Sequence, residues 1–405
     1  MDLSFYSNFT NTLAAQEAQI NRLQQQVSSG VTVQTPDQNP AAYETAALAN
    51  DQISQLNNDN TTQAAIQTQL GAANNSYNSM ASLLDNVQSI VLQALNGTSN
   101  SQNLNALATQ VQSASQQLLS IGNAISPNGS YLFSGSHGTL APFQQDASGN
   151  ISYFGDSGQG QATIAQGQTA NTLVTGDVFT SALAGDGIST VAAATSNTGS
   201  GQILQQGLVN AGTATAFQRG NTPITVSFSG SSGAMGYTAT QNGATIATGT
   251  LNSDGTSQTS LQLAGVDYEI TGSPANGDSF TISPSRPQSA FALLSQISNA
   301  LANAGSTPAQ MAQTNQVLNQ GLAGLAQYQQ AVTTAQARNG VTLQALSTAS
   351  AGNTSQATAA QTTVNNATAV DMPAAITALD QTTTALQAAM KTFSTAQSLS
   401  LFNYL

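Results

Sequence analysis

The two ends of this 405-residue chain carry matching heptad stripes, and neither stripe is complete alone. Near the amino terminus Tyr6, Leu13, Ile20 and Val27 recur every seven residues, with Phe9 and Leu23 at the intervening positions and Gln16 as the one polar break. Near the carboxyl terminus Met372, Leu379, Leu386 and Phe393 do the same, with Ile376, Met390 and the weaker Thr383 between them. Apolar residues at this spacing form the a/d seam of a helix that buries one face against another helix. Each end is the best available partner for the other. A chain whose ends pair must leave, build a middle and return, and this constrains the fold more than any other feature.

The middle has its own punctuation. Ser28-Ser29-Gly30 ends the first helix with a glycine suited to a C-cap. Thr35-Pro36-Asp37-Gln38-Asn39-Pro40 reads as a loop whose last two residues supply an N-cap and a first helical residue. The long helix that follows carries Leu56, Leu70, Tyr77, Leu84 and Val91 on one heptad position, with Ile66, Ala73, Met80, Val87 and Ala94 on its partner and Asp59 and Gln63 as polar exceptions. A turn at 96–100 leads to a second helix marked by Leu104, Leu107, Val111, Ala114, Leu118, Ile121 and Ile125, and the short connection makes an αα-hairpin.

Ser126-Pro127-Asn128-Gly129 stops that helix. Residues 130–135 have strand character, and 131–175 read as short strands and turns, including 151–154. Residues 176–285 read as a mostly β domain with strands at 223–228, 237–241, 266–271 and 279–283, while 188–207 is ambiguous. Asn242-Gly243 before an alternating run to Thr250 is a hairpin signal. Helical periodicity returns with Phe291, Leu294, Ile297 and Leu301, then behind Thr307-Pro308 with Leu318, Leu325, Tyr328, Val332, Ala335 and Leu346, continuing weakly through 347–369. Pro373 marks the start of the terminal helix.

The expected fold is therefore α+β: an elongated helical bundle or coiled coil built from both the N- and C-terminal regions, with a mostly β domain inserted in the middle. The expected divisions are a terminal coiled-coil domain at 1–34 and 371–405, a helical rod with short β-hairpins at 35–175 and 286–370, and an inserted outer domain at 176–285.

Composition narrows the function. Only 5% of residues are charged, where about a quarter is ordinary. Asn, Gln, Ser and Thr take their place, a surface that stacks against copies of itself without like-charge repulsion. Seventeen acids face five bases, and no Lys or Arg lies between Arg22 and Arg219. Phosphate neutralisation needs clustered cations, so nucleic acid is not the expected partner. With no cysteine there is no disulfide framework and no thiol nucleophile. No apolar run approaches the roughly 20 residues that span a bilayer, so no membrane insertion is expected. The first residues lack the basic and continuous apolar regions of a cleavable secretory signal.

Catalytic and metal chemistry find little support. The single histidine, His137, follows Ser134 and Ser136 in a glycine-rich loop, without the strand-Ser-helix elbow of a nucleophile. Asp146, Asp156, Asp177, Asp186, Asp254 and Asp278 adjoin Gly or Ser as turn residues do. None forms a dense Asp-x-Asp calcium loop. No catalytic residue, metal ligand or cofactor is expected.

Several stretches resemble one known family. Ser28-Ser29-Gly30 with Thr35-Pro36-Asp37-Gln38-Asn39-Pro40-Ala41-Ala42 resembles the loop after the first helix in flagellin-like proteins, and the Pro-Ala-Ala form is closer to the hook-filament junction, or third hook-associated, family than to flagellin. Asn128-Gly129-Ser130-Tyr131-Leu132-Phe133-Ser134-Gly135, with Pro142-Phe143 downstream, is similar to that family's exit from its helical domain. Pro274-Ala275-Asn276-Gly277-Asp278-Ser279-Phe280-Thr281-Ile282 resembles its return segment, and Lys391-Thr392-Phe393 through Leu401-Phe402-Asn403-Tyr404-Leu405 its terminus. The resemblance covers both terminal regions. One departure is Val31, where the family often has a basic residue.

The resemblance implies a flagellar subunit, exported through the flagellum's own type III apparatus, guarded by a flagellar export chaperone, and secreted to the hook-filament junction. There it would form a ring of copies of itself, between a hook-side hook-associated protein and flagellin or other filament-side subunits, with a mechanical role. The expected subunit interface is the terminal seam of Tyr6, Phe9, Leu13, Ile20, Leu23, Val27, Met372, Ile376, Leu379, Leu386, Met390 and Phe393, together with Leu401, Phe402 and Tyr404. Flagellin forming the filament itself is the alternative, and a secreted adhesin a more distant one.

Overall fold

The computed structural model describes residues 3–96, 101–158, 160–231, 233–251 and 259–402. The expected turn at 96–100 and Asp254 thus fall largely or wholly outside the described residues. The fold is α+β, with helices from both ends of the chain and a β region between them. Contacts group it into two compact units. The first comprises residues 1–62, 164–166 and 348–405, and the second residues 63–163 and 167–347.

In the first unit, α1 (Leu3–Ser29) and α8 (Met372–Phe402) pack against each other. They run antiparallel. Phe9 stacks on Phe393 with ring centroids 4.3 Å apart, while at the other end Val31 bridges Ala369. That bridge is a clasp between the two linkers: the Thr32 N–H donates to the Thr368 carbonyl at 2.7 Å and the Val370 N–H to the Gly30 carbonyl at 3.0 Å. Gly30 has φ +71°, the left-handed conformation that closes a helix, and its N–H returns to the Gln26 carbonyl. The next helix, α2 (Pro40–Leu95), starts where Asn39 caps it by accepting from the Ala42 N–H. The other long helix, α7 (Pro308–Thr368), runs unbroken through the polar 347–369 stretch. There Asn353 is buried and donates its amide to the Ile164 carbonyl.

The second unit contains the remaining parts of α2 and α7, α3 (Ser101–Gly122), α6 (Ala290–Ala302) and most of the β region. The heptad residues of α2 and α3 are almost all buried, from Leu70 to Ala94 and from Leu104 to Leu118. Thr307 and Gln310 form a reciprocal capping box at the start of α7. Antiparallel α2 and α7 are joined by amides where other bundles use ion pairs: Asn339 to Asn74, Gln336 to Asn78, and Gln329 to both Asp85 and Gln88.

The exit from the helices differs from the expectation. Residues 130–135 are no strand; Tyr131 makes only an isolated bridge to Ile125, because the side chains of Leu132 and Phe133 turn into the core. Short strands follow at β1 (Phe143–Gln145) with β2 (Ile151–Tyr153), and at β3 (Gln161–Ala165) with β4 (Gln168–Asn171). After the one-turn α4 (Asp177–Thr180) come β5 (Ser189–Ala193) and β6 (Gln202–Leu208), which resolve the ambiguous 188–207 stretch. A nine-residue helix, α5 (Ala211–Arg219), interrupts the β region and was not legible in the sequence.

The strands β7 (Ile224–Ser231), β8 (Ala234–Gln241), β9 (Ala244–Thr250), β10 (Thr259–Leu263), β11 (Val266–Thr271) and β12 (Ser279–Pro284) complete the region. They form an antiparallel five-stranded sheet ordered β5-β12-β7-β8-β9 and a three-stranded sheet ordered β10-β11-β6. Asn242 and Gly243, both at positive φ, make the expected tight turn between β8 and β9. A core of Ile203, Val226, Phe228, Tyr268, Phe280 and Ile282 fills the space behind these sheets.

Candidate functional interface

The α1 half of the terminal seam follows the expected register. Phe9, Leu13, Ile20, Leu23 and Val27 are half-buried, as is Gln16. Tyr6 remains 53% exposed although its ring lies 5.8 Å from Phe393.

The α8 half has a different register. Leu379, Leu386 and Phe393 are covered as expected, but the positions between them are Ala375, Thr382 and Ala389, three residues after each heptad position and not four. Ile376 is 45% and Met390 46% exposed, and Met372 at the helix start is 39% exposed; Thr383 is half-buried. Small side chains at 375 and 389 let a neighbouring backbone approach, whereas Ile376 and Met390 would hold it off. α8 therefore carries two adjacent apolar lines, only one of which α1 covers. A side chain on a helix sits about 100° from its neighbour in sequence, so a single partner cannot cover both. Leu401 and Phe402 fall on the last turn of α8, and Tyr404 lies outside the described residues.

Gln16 is a second irregularity. Its Oε1 is enclosed in the seam and accepts no hydrogen bond from any described group. A buried acceptor left unmet costs about 1–3 kcal/mol, so the α1–α8 pair is weaker than its heptads imply.

The anchoring of the β region to the helices was missed by sequence reasoning. Gln313, Gln316 and Gln327 of α7 reach backbone groups at its base: Gln313 donates to the Ala194 and Asn197 carbonyls, and Gln327 to that of Asp186. Buried Gln316 pairs with both the N–H and the carbonyl of Ile203, as a neighbouring strand would. The signal was present as glutamines at heptad-like spacing on the face beside the leucines. Between the helices lies an aromatic knot: Phe143 is within about 5 Å of the rings of Tyr153, Phe179 and Phe291, and Phe179 likewise touches Phe133.

The chemistry-bearing residues of the sequence have structural occupations. Asp156 accepts from the Ser136 N–H and hydroxyl and from the Gly158 N–H, and these bonds hold its carboxyl at about 2, well below the usual range. Ser136 thus donates to an aspartate and not to His137, whose Nδ1 lies 3.9 Å from Asp156. The three form a loop clasp without an activated nucleophile. Asp278, buried in the return segment, accepts from the N–H groups of Thr198, Gly199 and Ala275. Among the described residues no cluster of metal-ligating side chains occurs, and no helix is long and apolar enough to cross a membrane.

Comparison with known proteins agrees with this architecture. Residues 2–138 match the bacterial flagellin N-terminal helical region. Flagellar hook-associated protein 3 of Salmonella typhimurium is 27% identical over 174 residues, covering 42% of this chain and 50% of that protein. Its Escherichia coli namesake is 30% identical over 123 residues, 30% of this chain and 38% of that protein. The matched stretches thus span half or less of these relatives. A crystal structure of flagellar hook-associated protein 3 from Legionella pneumophila has the same fold at 24% identity, with a TM-score of 0.71 over 79% of this chain and 98% of that one. The resemblance to flagellin-like proteins, and within them to the third hook-associated protein, is borne out.

Proposed function

We propose that this chain is a structural subunit of the bacterial flagellum, secreted to the hook-filament junction, where copies of it form an adaptor ring between hook and filament. The observation that carries the reading is the uncovered apolar line of Met372, Ile376 and Met390 on α8, a surface suited to the helices of neighbouring subunits. Apolar side chains on a helix already packed along its other face are an aggregation hazard in water and an interface once covered. In this reading the seam residues act twice: Phe9, Leu13, Ile20, Leu23, Val27, Leu379, Leu386 and Phe393 join α1 to α8, while Tyr6, Met372, Ile376 and Met390, with Leu401, Phe402 and Tyr404, meet other subunits. The partners are other copies of the chain, a hook-side hook-associated protein, filament-side flagellin and, before export, a flagellar export chaperone. The role is mechanical, and the clasp at Ser136, His137 and Asp156 supplies no catalytic arrangement.

Deleting the gene in its bacterium tests this directly. Hooks without filaments, with flagellin released into the medium, are expected; unaffected motility would contradict it. The match of residues 2–138 to the flagellin helical region supports a second reading, flagellin itself. Electron microscopy of the purified protein separates the two, since long filaments formed by it alone would favour flagellin.

A further inference from the structure

The sequence holds five Asn-Gly pairs, beginning at Asn96, Asn128, Asn242, Asn276 and Asn339. Glycine leaves the amide nitrogen after an asparagine unhindered, and such a pair can cyclise. The glycine nitrogen attacks the asparagine Cγ, ammonia leaves, and a five-membered succinimide forms. Water then opens the ring at either carbonyl, giving an aspartyl or an isoaspartyl residue and one new carboxylate. This chemistry makes asparagine thermolabile in proteins. It needs a side chain free to turn and a glycine N–H without a partner of its own, so the fold decides which pair reacts. Gly97 lies outside the described residues, which leaves four pairs to compare.

Three of the four are held at both reacting groups. The Gly129 N–H donates to the Ser126 carbonyl at 2.8 Å, while Asn128 Oδ1 accepts from the Ser130 N–H and hydroxyl. The Gly277 N–H donates to the Phe228 carbonyl at 2.9 Å, while Asn276 Oδ1 accepts from the Gly230 N–H. Asn339 and Gly340 lie inside α7, whose backbone ladder occupies the glycine N–H, and the Asn339 amide donates to Asn74. Asn242-Gly243 is held at neither group. Both residues are exposed in the two-residue turn between Gln241 and Ala244, and neither the Asn242 side chain nor the Gly243 N–H has a hydrogen-bond partner among the described residues. Ring closure also requires the turn to relax. β9 is the outer strand of its sheet, and Ala244, Thr245 and Ile246 beside the turn are exposed, so little packing is lost when the hairpin tip opens.

We propose that the fold singles out Asn242 as a site of spontaneous modification, where a neutral amide becomes a carboxylate. No charged side chain lies between Arg219 and Asp254, so the product is the first charge on the part of the sheet built from β7, β8 and β9. The isoaspartyl form also adds a methylene to the main chain of a turn whose geometry is set for two residues. The reaction runs one way, and the converted fraction therefore rises with the age of the molecule. This chemistry holds whether or not the chain works at the hook-filament junction.

Peptide mass spectrometry of the full chain, incubated folded in mildly alkaline buffer made with heavy-oxygen water, tests the site. Ring opening leaves one heavy oxygen in each residue converted during the incubation, and a digest in ordinary water adds none. Conversion at Asn242 is expected to run about tenfold or more faster than at Asn128, Asn276 or Asn339, each of which must first give up its hydrogen bonds. In urea that unfolds the chain the four pairs are expected to lose this order, because the reacting dipeptide is the same in all. Conversion at Asn242 no faster than at the other three in the folded chain would overturn the proposal. An order that persists unchanged in urea would overturn it too, since neighbouring residues and not the fold would then set the rates.

Discussion

The aromatic knot of the second unit and the α1–α8 pair of the first are built from the same kinds of residue, and they are covered to very different degrees. Phe133, Phe143, Phe179 and Phe291 are buried and touch one another across three passages of the chain: the exit from the helices, the start of the β region and the return. In the α1–α8 pair Phe9, Leu13, Ile20, Leu23 and Val27 are only half-buried, and among the described side chains of α8 only Ala375 is buried. Two isolated helices cannot enclose their own seam, and ends separated by the whole chain also bear a large closure entropy. The knot is finished within one chain. The terminal pair is not, and the difference supports the proposal that subunits meet at the ends.

Mutations should exaggerate that contrast. Phe143→Ala removes the centre of the knot and is expected to destabilise the second unit by about 3–5 kcal/mol, read from urea unfolding. Asp278→Ala, which removes the acceptor shared by the Thr198, Gly199 and Ala275 N–H groups, is expected to cost about 1–3 kcal/mol by the same measurement. Gln16→Leu should act in the opposite direction. It relieves an unmet acceptor and is expected to strengthen the α1–α8 pair by about 1–2 kcal/mol, seen as slower amide exchange in α8 of the isolated protein. If exchange there is faster or unchanged, the weakness of the pair has another source.

Charge on the uncovered line separates stability from assembly. Ile376→Lys and Met390→Lys replace exposed residues and should change the stability of the isolated protein by no more than about 0.5 kcal/mol, yet hooks carrying either variant should lack filaments. The smallest expected effect is a pH dependence. Asp156 is held below its ordinary 3.8, at about 2, so its contribution is complete above pH 3.8 and is lost as pH falls through 2. Exchange of the Ser136 amide should rise over that window, and Asp156→Asn should remove the dependence.

The helical part was legible because burial imposes a period on the residues that meet it. Every heptad position from Leu70 to Ala94 in α2 faces the core, and the caps at Gly30, Asn39 and Thr307 are where sequence chemistry requires them. The seam on α8 was harder to read. Ile376 and Met390 are more apolar than Ala375 and Ala389, and ranking by hydrophobicity selects the uncovered line over the one α1 touches. A helix with two apolar lines has two defensible registers until its partner is known. Polar contacts escaped for another reason. Gln316 against Ile203 and Asn339 against Asn74 depend on which group lies opposite, and the spacing of glutamines along α7 does not identify their partners in a chain so rich in amides. In the β region, α5 was hidden by an Ala- and Thr-rich stretch too short to display a helical period.

Amide exchange along α8, followed by mass spectrometry in the isolated protein and in purified flagella, tests the central claim most directly. Residues 372–395 are expected to exchange much faster than α3 in the isolated protein and to become comparably protected in flagella. Protection of α8 in the isolated protein equal to that of α3, with no change on incorporation, would contradict the assignment of assembly to the terminal helices.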